Sequence, residues 1–86
     1  MAFEDHVEFP IMYTIKVVGD AAPDFAELVF QCVFAHAPDT AQQPQVKDSS
    51  KGSFVSVNVT FEATHIEQLH AIHVDLNATG RARMIL

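Results

Sequence analysis

The side chains best suited to hold an anion lie in three short segments that are far apart in the sequence. Hydroxyl groups, Lys and Arg bind carboxylates and phosphates, and the free N–H groups at a helix N-terminus attract the same ligands. Pro23 fits the first turn of a helix that begins soon after Gly19 and Asp20. The predicted ligand- or partner-binding residues are Gly19, Asp20, Ser49, Ser50, Lys51, Gly52 and Arg81.

The same residues have a purely structural interpretation. Ser-Ser-Lys-Gly suits a hairpin turn, because its glycine can take a positive φ, and Gly-Asp suits the turn before a helix. The carboxylate of Asp20 also disfavours an anion beside it. Both interpretations remain open at the level of the sequence.

The five histidines raise the question of a metal site. Glu67, His70 and His73 follow each other at helical spacing, but His73 falls on the apolar stripe of that helix. The chain's other Glu-x-x-His pair, Glu62 and His65, spans the end of a predicted strand and not one helix, and the chain has no Cys-x-x-Cys. We therefore predict no metal and no cofactor.

Nucleophilic catalysis is also not predicted. Cys32 lies on the apolar stripe of the first predicted helix, between Val29 and Val33, which is typical of an inert core thiol. No Gly-x-Ser-x-Gly motif is present, and a chain of 86 residues offers little volume for a water-excluding cleft. We expect no catalytic residues and no enzymatic activity.

Composition restricts the remaining function classes. A net charge of −6 with only five Lys or Arg argues against nucleic-acid binding. A single cysteine, an N-terminus without basic residues, and no apolar run of about 20 residues predict a cytoplasmic protein that does not cross a membrane. Because Lys47, Lys51, Arg81 and Arg83 all fall in the second half, we expect a polarised surface.

Residue periodicity predicts six secondary-structure elements. In chain order they are a strand over 11–18, a helix over about 23–36, a weak strand over 45–50, a strand over 55–62, a helix over 64–76 that starts with a Thr64/Glu67 capping box, and a strand over 81–86. Right-handed crossovers then give a ferredoxin-like α+β sandwich, with an antiparallel sheet in order 4-1-3-2 and both helices on one face. Residues 1–9 are predicted to be a partly flexible N-terminal tail and residues 10–86 a single domain.

Two surfaces of this fold are predicted to be exposed. The uncovered sheet face should be mostly polar, and it lacks the aromatic residues on the central strands that RNA-binding proteins of this fold use. Continued alternation assigns to it Met12, Thr14, Lys16, Phe54, Ser56, Asn58, Thr60, Arg81, Arg83 and Ile85, with Ala82, Met84 and Leu86 facing the core. On the first helix, Phe30 and Phe34 point away from the apolar stripe, so they predict a surface for self-association or partner docking unless the N-terminal tail covers them.

Several motifs resemble those of the YbeD-like family of small bacterial cytosolic proteins. The most specific are Ser49-Ser50-Lys51-Gly52 and Ala63-Thr64-His65-Ile66-Glu67-Gln68, and the likeness extends from about residue 8 to residue 86. The chain departs from the family in its first seven residues, at 42–44, and in the phenylalanine content of the first helix. The resemblance implies a ferredoxin-like fold similar to the amino-acid-binding regulatory (ACT) domains and a regulatory role near lipoate metabolism, without catalytic residues.

The sequence therefore leads to two expectations about function. The first is a non-enzymatic regulatory or adaptor module that binds a protein partner, or itself, through the hairpin edge or the first helix. The alternative is an ACT-like sensor that binds a small anionic metabolite where the first strand meets the first helix.

Overall fold

The six predicted elements are all present in the computed structural model, which describes residues 8–48 and 52–86. They are β1 (Ile11–Asp20), α1 (Phe25–Phe34), β2 (Gln45–Asp48), β3 (Phe54–Ala63), α2 (Ile66–Ala78) and β4 (Ala82–Ile85). The strands form one antiparallel sheet in the order β2-β3-β1-β4. This is the predicted order read from the other edge, so the ferredoxin-like fold is confirmed. Most of the predicted N-terminal tail, residues 1–7, lies outside the described residues, whereas Phe9 packs against the core.

The long pair β1–β3 supplies the sheet side of the core. All ten residues of β1 are paired in register with β3, and alternate residues face the helices. Helices α1 and α2 contribute buried residues to the core that are spaced three to four positions apart, which is the spacing of one face of a helix. The largest fully buried side chains are Ile15, Val17, Phe25, Val29, Val33, Val57, Val59, Phe61, Ile72 and Leu76.

Helix α1 is shorter than its apolar pattern predicts. It runs from Phe25 to Phe34 instead of over 23–36, and Asp24 precedes it without a capping bond from its side chain. Beyond the helix the chain forms further hydrogen-bonded turns. The Ala37 N–H donates to the Val33 carbonyl, and the Ala41 N–H donates to the Ala37 carbonyl. Pro38 disfavours helical geometry in Ala37, so the helix does not continue beyond residue 36.

The predicted capping box of α2 is wrong by one residue. The helix begins at Ile66, so the residue that reaches back is Gln68 and not Glu67. The Thr64 N–H donates to Gln68 Oε1 at 2.8 Å, and Gln68 Nε2 donates to the His36 carbonyl at 2.9 Å. The buried amide of Gln68 thereby joins the start of α2 to the end of α1.

Replacing Gln68 by Leu should therefore destabilise the protein by about 1 kcal/mol or more, because two partly buried backbone groups lose their partner. Equilibrium urea unfolding followed by circular dichroism measures this loss. Glu67→Leu is the control, since Glu67 is exposed. Equal stabilities of the two variants would show that the Gln68 amide has no such role.

Strand β4 contains an irregularity that its sequence pattern does not reveal. Val17 pairs with Ile85 and Val18 with Met84, but Gly19 pairs with Ala82, so Arg83 is an extra residue in a β-bulge.

This bulge reverses the predicted orientation of β4. Ile85 and Ala82 pack against the core, whereas Met84 and Leu86 are exposed on the uncovered face. The prediction was therefore wrong for Ile85, Met84 and Leu86, because one inserted residue moves every later side chain to the opposite face. Arg81 also departs from its predicted place, since its guanidinium carbon lies 5.8 Å from the centroid of the buried Phe25 ring, on the helix side of the sheet.

Gly19 occupies the most crowded point of the backbone near this bulge. A Cβ atom at this position would collide with the ring of Phe25 and would lie 2.7 Å from the carbonyl oxygen of Arg81. The absence of a side chain allows α1 and the start of β4 to approach β1 closely.

Gly19→Ala should accordingly destabilise the fold by about 1 to 3 kcal/mol, the usual cost of overpacking. Thermal and urea unfolding would measure it. Ser53→Ala, at an exposed position on the same end of the sheet, should have little effect because the Ser53 backbone carbonyl is unchanged. A fully stable Gly19→Ala protein would contradict the close approach.

Candidate functional site

The structure brings the described members of the predicted anion site to one end of the sheet. Gly19 pairs with Val55 and with Ala82, and Asp20 pairs with Phe54. Gly52 has a φ of 72°, and the N–H of Ala21 donates to the carbonyl of Ser53 at 3.1 Å. Ser49, Ser50 and Lys51 lie outside the described residues.

Both arginines at this end of the sheet are already paired with carboxylates. Arg81 makes a two-pronged contact with Asp24, at 2.8 and 2.7 Å, and Arg83 contacts Asp20 at 3.3 and 2.9 Å. The hydrogen bond to Asp24 raises the pKa of Arg81, and the hydrogen bond to Asp20 raises the pKa of Arg83. In return, the hydrogen bond from Arg81 lowers the pKa of Asp24.

These ion pairs limit what the end of the sheet can bind. A carboxylate or phosphate that approached Arg81 would have to displace Asp24, and one that approached Arg83 would have to displace Asp20. The two pairs also connect β4 to the end of β1 and to the start of α1. Anion binding by the predicted residues therefore stays a prediction.

Cys32, His36 and His73 each interact electrostatically with a neighbouring side chain. Burial raises the pKa of the Cys32 thiol, and the nearby carboxylate of Asp75 raises it further, so the thiol is protonated at neutral pH. His36 Nε2 lies 2.7 Å from Asp75 Oδ2 and links the end of α1 to α2. Burial, together with the neighbouring His70, lowers the pKa of His73. Within 8–48 and 52–86, no three His, Cys, Asp or Glu side chains are grouped to hold a metal ion.

The uncovered face of the sheet carries an apolar group of which the sequence pattern predicted only Phe54. Met84 is 53 % and Leu86 59 % exposed, and Phe54 is 44 % exposed. Val18 pairs with Met84 and is half-buried between these strands. We call Val18, Phe54, Met84 and Leu86 the open-face cluster.

Two lysines border the open-face cluster. Lys16 exchanges backbone hydrogen bonds with Leu86, and Lys47 pairs with Ser56 on β3. Both lysines line a shallow depression of about 280 Å³ together with Val18 and Phe54. The amide oxygen of Asn58, which pairs with Lys16, is buried without a hydrogen-bond partner among the described residues. Asp48 lines the same depression, so the exposed apolar side chains are bordered by two lysines and one carboxylate.

The aromatic pair of α1 is partly exposed, as its spacing predicts. The ring centroids of Phe30 and Phe34 lie 5.7 Å apart. Phe34 is exposed, whereas Phe30 is half-buried and packs against the core. The apolar surface offered by α1 is therefore mainly that of Phe34.

Comparison with known sequences identifies the family. Residues 4–86 match the family described as "Protein of unknown function (DUF493)". The chain belongs to this family. Among DUF493 relatives, a UPF0250 protein of Pseudomonas paraeruginosa is 52 % identical over 82 residues, which cover 93 % of this chain and 88 % of that protein. A UPF0250 protein of Pectobacterium atrosepticum is 44 % identical over 80 residues, covering 93 % and 91 %.

A solved structure supports the fold of this DUF493 protein. The solution structure of protein HP0495 from H. pylori superposes with a TM-score of 0.75 and covers 93 % of this chain and 85 % of that chain. The sequences are only 14 % identical, so this likeness concerns the fold alone. No helix among the described residues is long and apolar enough to cross a membrane.

Proposed function

We propose that this DUF493 protein is a non-enzymatic adaptor that binds a partner protein with the uncovered face of its sheet. The observation that supports this most directly is the open-face cluster. The β-bulge turns Met84 and Leu86 outward, next to Val18 and Phe54, on the face that neither helix covers.

Exposed apolar side chains grouped on one face of a small protein are typical of a contact surface. Burying them against a partner removes apolar area from water, and the flexible Met84 side chain can adapt to the shape it meets. Single exposed apolar side chains are common on monomeric proteins and would not indicate a contact surface. Here the cluster spans three neighbouring strands, β3, β1 and β4.

The charge around the cluster indicates the chemistry of the partner. Lys16 and Lys47 border it, whereas Arg83 nearby is paired with Asp20. The chain as a whole carries a net charge of −6. An acidic partner would be repelled by most of the surface and attracted to this face, so we expect carboxylates around an apolar centre on the partner.

The process that this contact serves is also part of the proposal. The motifs shared with YbeD-like proteins favour a regulatory role linked to lipoate metabolism, in the cytoplasm. Self-association through Phe34 and its neighbour Phe30 would be a second contact on the same module.

The adaptor proposal predicts that Met84→Asp weakens partner binding without affecting folding. The charge would be placed in the centre of the contact, and binding should fall by about tenfold or more. The measurement is quantitative capture from a bacterial lysate on the immobilised full chain. The captured protein is then purified and titrated, with the amide shifts of Val18, Phe54 and Met84 as the readout.

Val46→Asp is the matched control for this experiment. Val46 is 53 % exposed, the same fraction as Met84, but it lies on the helix side of edge strand β2. It should bind like the wild type. If both variants lose the partner equally, or if neither loses it, the open face is not the contact surface.

A small anionic ligand is the second candidate, because Arg81, Arg83 and the N-terminus of α1 meet at one end of the sheet. We expect Asp24→Asn to release Arg81 and so to enlarge any rise in melting temperature caused by amino acids, lipoate, octanoate or nucleotides. A thermal-shift screen of wild type and variant measures this. An adaptor would respond to none of these compounds, and a sensor would respond to at least one.

A further inference from the structure

One half of strand β1 is paired on a single side. On the side of β4, the ladder includes Val17, Val18 and Gly19, and Leu86 exchanges hydrogen bonds of 3.1 and 2.8 Å with Lys16. From Ile11 to Ile15 the described residues place a neighbouring strand only on the β3 side. This half of β1 is thus a sheet edge within that part of the chain.

The backbone groups that face this edge belong to Met12 and Thr14. In an antiparallel sheet the N–H and C=O of one residue point to the same neighbour, and the direction alternates along the strand. Lys16 points to Leu86, so Thr14 and Met12 point to the same side. The hydrogen bonds of β3 support this direction. Thr60 on β3 pairs with Thr14, and its carbonyl accepts from the N–H of Gln42, so this carbonyl points away from β1.

An apolar groove lies on the helix side of this edge. It has a volume of about 610 Å³ and is formed by Tyr13 on β1 and by one side of α2. Val74, at its rim, is 64 % exposed. The α2 residues that line it are Ile66, Leu69, His70, His73 and Val74. Among the described residues that line it, none is an acid, a lysine or an arginine.

We propose that this edge accepts an extended segment of a partner protein, paired antiparallel to β1, with an apolar side chain in the groove. The residues of that segment that exchange backbone bonds with Met12 and Thr14 direct their side chains to the uncovered face, because side chains alternate along a strand. The residue between them lies opposite Tyr13 and points to the helix side. There it meets the groove.

The pattern of groups favours an inserted strand over a second copy of the chain. Only an extended backbone presents donors and acceptors at the spacing of Met12 and Thr14. If two copies paired through these edges with Met12 opposite Thr14, the residue opposite Tyr13 would be Tyr13 of the second copy, and this ring already packs against its own Phe61. A single inserted strand satisfies the edge and fills the groove at once.

The test uses short random peptides displayed on phage and selected against the full-length protein. We expect the selected peptides to carry an apolar residue flanked by tolerant positions. A synthesised peptide should shift the amides of 11–16 and 66–74 and slow hydrogen exchange at Met12 and Thr14 by about tenfold or more. Met84→Asp should leave this binding unchanged, which separates the edge from the open-face cluster.

Thr14→Pro removes the outward N–H while leaving the ladder with β3 intact, so peptide affinity should fall by about tenfold or more. Thr14→Val is the matched control, because it also loses the 2.7 Å hydroxyl contact with Thr60 but keeps the N–H. Val74→Glu should weaken binding through the groove, and Asn77→Glu, exposed on the same helix, should not.

Three results would overturn the proposal. The first is that no peptide is enriched, or that the enriched peptides shift only other amides. The second is equal binding to Thr14→Pro and Thr14→Val. The third is slow hydrogen exchange of the Met12 and Thr14 amides in the free protein. If the slowing depends on protein concentration, a second copy of the chain pairs with this edge. If it does not, another part of the same chain pairs with it.

Discussion

The close approach of three elements at Gly19 determines much of what this protein presents to its surroundings. The ring of Phe25 and the carbonyl of Arg81 occupy the space that a side chain at Gly19 would need. Next to this point the β1–β4 ladder skips one residue, between Val18 and Gly19. The crowded position thus lies where α1 begins, where β4 starts and where the bulge sets which side chains β4 exposes.

The charge distribution follows from the same local geometry. The bulge leaves Arg83 next to Asp20, while Arg81 lies over Phe25 and reaches Asp24. Two of the five basic residues are thereby neutralised at the end of the sheet. Lys16 and Lys47 make no ion pair among the described residues, and both belong to the uncovered face. Asp20 and Glu62 belong to the same face, so the polarised surface expected from the sequence stays a prediction.

The fold follows from the sequence because its signals are local and repeated. The alternation of Val55, Val57, Val59 and Phe61 defines the central strand over many residues, and a single misassigned residue would not change it. The outer strand β4 is short, and an inserted residue changes which of its side chains face the core without changing its composition. Alternation alone could not decide between Met84 and Ile85, since both are apolar. The capping residue Gln68 was missed for a similar reason, because shifting the helix start by one position exchanges Glu67 for Gln68.

Unequal strand lengths explain why this small domain has two surfaces suited to contact. The central strands β1 and β3 have ten residues each, and the edge strands β2 and β4 have four. Short edge strands limit uncontrolled sheet-to-sheet pairing. They also leave β1 longer than its outer neighbour, so that backbone groups at Met12 and Thr14 have no strand beside them among the described residues. The helices cannot compensate, because both lie on one face. Among the described residues, a sheet of this shape therefore exposes apolar side chains on its open face and backbone hydrogen-bonding groups along half of β1. Under our proposals, a partner would use these surfaces without unfolding any part of the core.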